Sequence, residues 1–113
     1  MNAYAEKSTD VITPTETVEL VKSGAILLDV RTPKEYQDGH IENAKNVPLQ
    51  DLIAASAQGL PEDHNKTIVT ICGVGKRSLN ALLLLKAQGY ERVKSADGGM
   101  QAWKSGGFPL QIN

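Results

Sequence analysis

Cysteine is almost absent from this chain: Cys72 stands alone among 113 residues. A lone thiol excludes an intramolecular disulfide, a CxxC redox pair and any Cys-rich zinc or iron–sulfur site. The lack of staples is no obstacle at this length, since only much shorter domains usually need disulfides or metals to hold a core. Aromatic residues are scarce too, at 4%. The basic residues of the C-terminal half are therefore not interleaved with the stacking platforms of a single-strand nucleic-acid binder. No apolar run approaches the roughly 20 residues of a membrane span, and the longest, Ala81 to Leu85, is little more than a helical turn. The opening MNAYAEKSTD has neither a basic start nor an apolar stretch. No export signal is visible, although a mature exported form would read the same, and the cytoplasm is the expected location.

What is present is the composition of an ordinary folded protein: 41% hydrophobic, 22% charged, with a net charge of −1. This range gives no reason to expect disorder or a fibrous repeat, and the length predicts one domain over residues 1–113, with 1–10 as a flexible N-terminus. Charge is unevenly placed. Residues 1–65 hold 5 basic and 11 acidic groups (net −6), and residues 66–113 hold 7 and 2 (net +5). The C-terminal cations are scattered, which favours a small anion over nucleic acid as the ligand. A monomer that engages neither nucleic acid nor membrane is expected, and no cofactor or metal.

Punctuation along the chain predicts alternating helices and strands. Thr13-Pro14-Thr15-Glu16 and Thr32-Pro33-Lys34-Glu35 each have the form of a capping box with proline at the first helical position, and Ser23-Gly24 and Gly39 stop the two helices. Ala25–Val30 is a continuous apolar run meeting Asp29 near its end, as in a strand buried on both faces. Ala44–Val47 reads as a brief strand, and Asp51–Ala57 as a helix capped by Asp51. Thr67–Ile71 is entirely β-branched and flanked by turn signals, making it the strongest strand. Ser78 is placed to cap a helix whose Leu79, Leu82, Leu83 and Ala87 share a face, widened by Leu84 and Leu85, with Gly89 as its stop. Arg92–Ser95 supplies a last strand and Asp97 caps a final helix with Met100 and Trp103 in the core. Such alternation implies right-handed crossovers and a parallel sheet covered on both faces, an α/β fold.

In open parallel sheets the functional crevice lies beyond the carboxyl ends of the strands, where the sequence puts Cys72-Gly73-Val74-Gly75-Lys76-Arg77. A lone cysteine ending a buried strand is ordinarily a small core hydrophobe. Here two glycines let the backbone curl so that successive N–H groups form an anion-binding nest, and a helix N-terminus and two cations follow at once. All of these lower a thiol pKa. The same donors suit an anionic substrate and a negatively charged terminal sulfur after attack. The combination outweighs the core reading.

Several stretches together resemble the single-domain rhodanese (thiosulfate sulfurtransferase) family, over about Ile12 to Leu110. They are Leu28-Asp29-Val30-Arg31 with Glu35-Tyr36, Gly39-His40-Ile41, Ala44, Asn46-Val47-Pro48, the loop CGVGKRS from Cys72 to Ser78, and Asp97-Gly98-Gly99-Met100 with Trp103. The resemblance implies a three-layer fold with a mostly parallel five-stranded sheet. It also implies that Cys72 carries a persulfide, cradled by the backbone of Gly73, Val74, Gly75, Lys76 and Arg77, with Arg77 closing the loop. The related dual-specificity phosphatases need one more residue between Cys and Arg, so phosphatase or arsenate-reductase chemistry is disfavoured. Where many members carry Pro-Gly after His-Ile, this chain has Glu42-Asn43. Cys-Gly-Val-Gly resembles the mercaptopyruvate-type loop and Lys76-Arg77 the thiosulfate-type loop. The donor stays open, with thiosulfate or a protein persulfide favoured, and the acceptor is cyanide, a thiol or a protein cysteine. Asp29, Arg31 and Ser78 are expected to support the loop rather than react. His40 could serve as a base, but the resemblance implies that it anchors a loop, and His64 lies in a polar loop, so neither a Ser-His-Asp arrangement nor a metal site is expected.

Overall fold

The structure, a computed structural model, describes residues 10–54 and 60–110. Strands β1 (Val11–Ile12), β2 (Ile26–Asp29), β3 (Lys45–Asn46), β4 (Ile68–Ile71) and β5 (Val93–Ala96) alternate with helices α1 (Pro14–Lys22), α2 (Pro33–Asp38), α3 (Leu49–Ile53), α4 (Lys76–Ala87) and α5 (Gly99–Ser105). The strands form one sheet in the order β1-β5-β4-β2-β3, and every pair is parallel.

Side chains alternate across the sheet, and each face is buried against helices. Leu28 and Ile68 lie in one apolar cluster with Leu52 of α3 and Ala81, Leu82 and Leu85 of α4. Leu27, Val69 and Ile71 lie in the other with Met100 and Trp103 of α5, against which Val18 and Val21 of α1 pack. Burial on both sides explains why β2 and β4 read as unbroken apolar runs. The first two helices start as the sequence predicts: both capping boxes are closed, Thr13 with Glu16 and Thr32 with Glu35. Asn43 takes φ 70°, a left-handed conformation that asparagine tolerates better than most side chains, and so keeps the turn where many family members carry glycine.

Several expectations need correction. The edge strand β1 was not anticipated, because two residues show no periodicity; it exists through tertiary pairing of Val11 with Ser95 and Ile12 with Ala96. Asp10, expected within a flexible N-terminus, is instead ion-paired to Lys86 at 2.8 Å and Lys94 at 3.4 Å; residues 1–9 lie outside the described residues. Helix α3 begins at Leu49 behind Pro48, with Asp51 in its first turn and no side-chain cap; the expected continuation over 55–57 lies outside the described residues. Neither Ser78 nor Asp97 caps a helix. The N-caps are Gly75 and Gly98, both left-handed, because the chain must reverse sharply to enter each helix. On α4 the buried positions are Ser78, Ala81, Leu82 and Leu85, whereas Leu83 is 63% exposed and Ala87 is exposed. The inward stripe is therefore rotated by about one residue from the expected one.

Candidate functional site

The order in which strands are added to the sheet reverses between β2 and β4: β2 leads outward to β3, while β4 leads the other way to β5. That switch point opens a crevice at the carboxyl ends of both strands. Cys72 follows β4 directly, and Asp29 ends β2 in register with Ile71.

Turns 72–77 and 30–35 therefore lie side by side, and the loop at Cys72 is shaped from behind by α5. Met100 N–H donates to the Cys72 carbonyl at 2.7 Å and Gln101 N–H to the Gly73 carbonyl at 3.0 Å. In a trans peptide the carbonyl and the following N–H point in opposite directions. Drawing these two carbonyls toward α5 aims the next amides, including that of Val74, into the loop. The approach is close enough to require glycine at 99, since a Cβ there would stand 2.2 Å from the Cys72 carbonyl oxygen and φ is +56°.

Inside the loop the Cys72 sulfur is surrounded by donors. Gly75 N–H donates to Sγ at 3.1 Å and Ser78 N–H at 3.3 Å, while the thiol itself donates to the Ser78 hydroxyl oxygen at 3.5 Å. Burial pushes the thiol pKa up. The hydrogen bonds from the Ser78 hydroxyl and from the amides of Ser78, Gly75 and Val74 outweigh it, so the net shift is downward. Ser78 is in turn held by Ser95 on β5, their hydroxyl oxygens 2.8 Å apart, and by the Gly75 carbonyl at 3.1 Å. The amides turn inward as a reactive thiolate requires, but Cys72 is only 1% exposed. Val74 at the loop tip is 58% exposed, and the flanking Gly73, Gly75 and Arg77 are half-buried.

The two cations of the loop differ in state. Lys76 is exposed. Arg77 is paired with Glu35, Nη1 to Oε1 at 2.7 Å and Nη2 to Oε2 at 3.0 Å. These hydrogen bonds hold the Glu35 carboxyl at about 2 and raise the Arg77 pKa. Asp29 and Arg31 form a buried ion pair at 2.7 Å, with Arg31 also donating to the Gly39 carbonyl at 2.7 Å. His40 sits with Nδ1 2.9 Å from the Tyr36 carbonyl oxygen, its ring stacked on Tyr36 at 3.8 Å, so it anchors a loop. His64 leans on Tyr90 before β4, at the opposite end of that strand from Cys72. Among the described residues no cluster of three or more His, Cys, Asp or Glu is disposed to hold a metal, and no helix is long and apolar enough to cross a membrane.

Glu35 and Ser95 were not singled out as site residues. Glu35 was visible only as a capping acid, 42 residues from Arg77, and nothing local marks Ser95 as a neighbour of the loop.

The Rhodanese-like domain family matches residues 13–106. The chain is 39% identical over 88 residues to the uncharacterized protein slr1261 of Synechocystis, covering 78% of this chain and spanning about half (48%) of that relative's length. It is 37% identical over 71 residues to the thiosulfate sulfurtransferase PspE of Escherichia coli, covering 63% of this chain and 67% of the relative. The crystal structure of a rhodanese-related protein from Thermoplasma volcanium superposes with a TM-score of 0.79 at 31% identity, covering 91% of this chain and 98% of the other. A match that spans residues 13–106, most of the length, establishes that the chain belongs to the Rhodanese-like domain family.

Proposed function

We propose that the protein is a sulfurtransferase that carries sulfane sulfur as a persulfide on Cys72. The observation that carries this reading is the ring of N–H donors turned onto a single sulfur, with Gly75 N–H at 3.1 Å and Ser78 N–H at 3.3 Å. Such a ring favours the thiolate over the thiol and, after transfer, a terminal sulfur anion. With thiosulfate as donor, the Cys72 thiolate attacks the outer sulfur. The Cys72 S–S bond forms, the S–S bond of thiosulfate breaks, and its electron pair leaves with sulfite. With cyanide as acceptor, attack on the outer sulfur of Cys72-S-S⁻ forms thiocyanate and returns the thiolate, and a small thiol or protein cysteine takes the same place. No second cysteine exists in the chain to resolve the persulfide, so the acceptor comes from outside and the kinetics are ping-pong.

The supporting residues have distinct work in this scheme. Gly73 to Arg77 supply the cradle, Ser78 the hydroxyl donor, and Asp29 with Arg31 the scaffold beneath the adjoining turn. Intact-mass measurement after thiosulfate treatment tests the proposal: wild type gains the mass of one sulfur and Cys72→Ser does not. Absence of the adduct with thiosulfate, mercaptopyruvate and a persulfide donor alike overturns it.

A second reading is favoured by the burial of Cys72, at 1% exposure. A sulfur this covered suits a relay that exchanges sulfur with a docked protein and turns over slowly with free small molecules. Faster sulfur loss to a protein thiol than to cyanide or glutathione selects that reading; comparable rates reject it.

A further inference from the structure

The loop around Cys72 carries two cations, but one of them is neutralised in place. Both Glu35 oxygens accept from the Arg77 guanidinium, at 2.7 and 3.0 Å. Glu35 is not free to swing away, because its Oε1 also accepts from Thr32 N–H at 3.1 Å and Thr32 Oγ1 at 3.2 Å in the capping box of α2. Nor is Arg77 remote from the sulfur, since a Cβ built on Gly73, the residue after Cys72, would stand 3.2 Å from its Nη2. The parallel pairing of β2 with β4 brings the two turns together, so the contact follows from the fold rather than from a chance surface encounter. With the thiolate formed, Lys76 and Arg77 are balanced by Glu35 and Cys72, and Asp29 and Arg31 balance each other. These six side chains then sum to no net charge.

A cradle built to capture a small dianion would keep both cations uncommitted. We infer that Glu35 is a specificity-determining residue of the sulfur-donor site: its fixed negative charge on Arg77 disfavours doubly charged donors and favours those whose sulfane sulfur sits on a singly charged or neutral group, such as a persulfide. The identity of the donor rests on the sulfurtransferase reading above; the effect of Glu35 on charge selection at the sulfur does not. One unit charge acting across a partly solvated gap of several ångströms corresponds to about three- to tenfold in rate or affinity per charge on the incoming molecule.

Alkylation of Cys72 tests this without sulfur transfer. Rate constants with iodoacetate and iodoacetamide are compared on the plateau above the thiol pKa, at low ionic strength, for wild type, Glu35→Gln and Asp38→Asn. The ratio of the two reagents cancels any general change in access to the sulfur. Glu35→Gln, which keeps an acceptor for Thr32, raises the iodoacetate-to-iodoacetamide ratio about three- to tenfold. Asp38→Asn, which removes an exposed charge from the same helix, changes it less than about twofold. An unchanged or lowered ratio in Glu35→Gln overturns the inference. The wild type alone provides a second arm: its iodoacetate rate is nearly constant from about 10 to about 200 mM salt, whereas a steep fall marks a positive site and also overturns it. In the donor arm, Glu35→Gln raises kcat/KM for thiosulfate relative to a persulfide donor. If no donor loads sulfur on wild type, the sulfurtransferase reading fails while alkylation still decides the role of Glu35.

Discussion

Substitution of Gly99 by alanine probes the mechanism that shapes the loop. The added Cβ would lie 2.2 Å from the Cys72 carbonyl oxygen and 2.8 Å from the Gly73 carbonyl carbon and oxygen. Both partners are backbone, so relief requires the loop to move away from α5 by about 1 Å, since Cβ contacts below about 3.0 Å are essentially never found. That displacement breaks the hydrogen bonds from Met100 and Gln101 to the loop carbonyls, worth about 1 kcal/mol each. Holding alanine at φ +56° adds about 1 kcal/mol or more, for a total near 3 kcal/mol. Gly107→Ala is the control, since φ there is +78° and nothing lies within 4 Å of the added atom; it incurs only the conformational cost of about 1 kcal/mol. Urea unfolding measures both, and the pH dependence of iodoacetamide alkylation reads the thiol. Gly99→Ala is the less stable by about 2 kcal/mol and its Cys72 pKa rises, because the loop amides no longer face Sγ. Equal stabilities, or an unmoved pKa, refute the account of how α5 orients the loop.

Three further outcomes follow from the same geometry. Ser78→Ala removes the hydroxyl 3.5 Å from Sγ, whose interaction with the sulfur helps to lower the thiol pKa, so the Cys72 pKa rises, read by the same alkylation profile. Asp29→Asn leaves the guanidinium of buried Arg31 without its carboxylate and lowers stability by about 3 to 5 kcal/mol, measured by denaturant midpoint. The Glu35 carboxyl, lowered to about 2 from 4.5 by its bonds with Arg77, contributes stability that is fully present above the unfolded value and lost as pH falls from there through about 2. With both partners 37% exposed, solvent screening reduces this to about 1 kcal/mol, and Arg77→Gln reduces that acid-side loss, leaving only the part due to Thr32, in urea titrations at pH 7 and pH 3.

Local signals carried much of the fold and the centre of the site. Thr13 and Thr32 with Pro and Glu in register are complete helix-start instructions within four residues. The β-branched run ending at Ile71, followed by two glycines, was enough to locate Cys72 at a strand end. Asp29 and Arg31, two residues apart, were close enough for their pairing to be foreseen. What escaped was set by contacts between distant segments. β1 owes its existence to β5, more than 80 residues away. Ser78 has the chemistry of a cap, but the reversal at Gly75 turns it beneath the sulfur, where it bonds to Ser95. Leu83 has the composition of a core residue on a helix whose rotation is decided by the sheet beneath it. The Glu35–Arg77 pair joins two turns that only the parallel order of β2 and β4 brings together.

The central claim is that hydrogen bonds from inward-facing amides outweigh burial and shift the Cys72 thiol toward its ionised form. Direct titration of the thiolate by its ultraviolet absorbance, with Cys72→Ser as the blank, tests it most directly. The account predicts a midpoint clearly below the value of about 8.5 for a free cysteine. A midpoint at or above that value contradicts it.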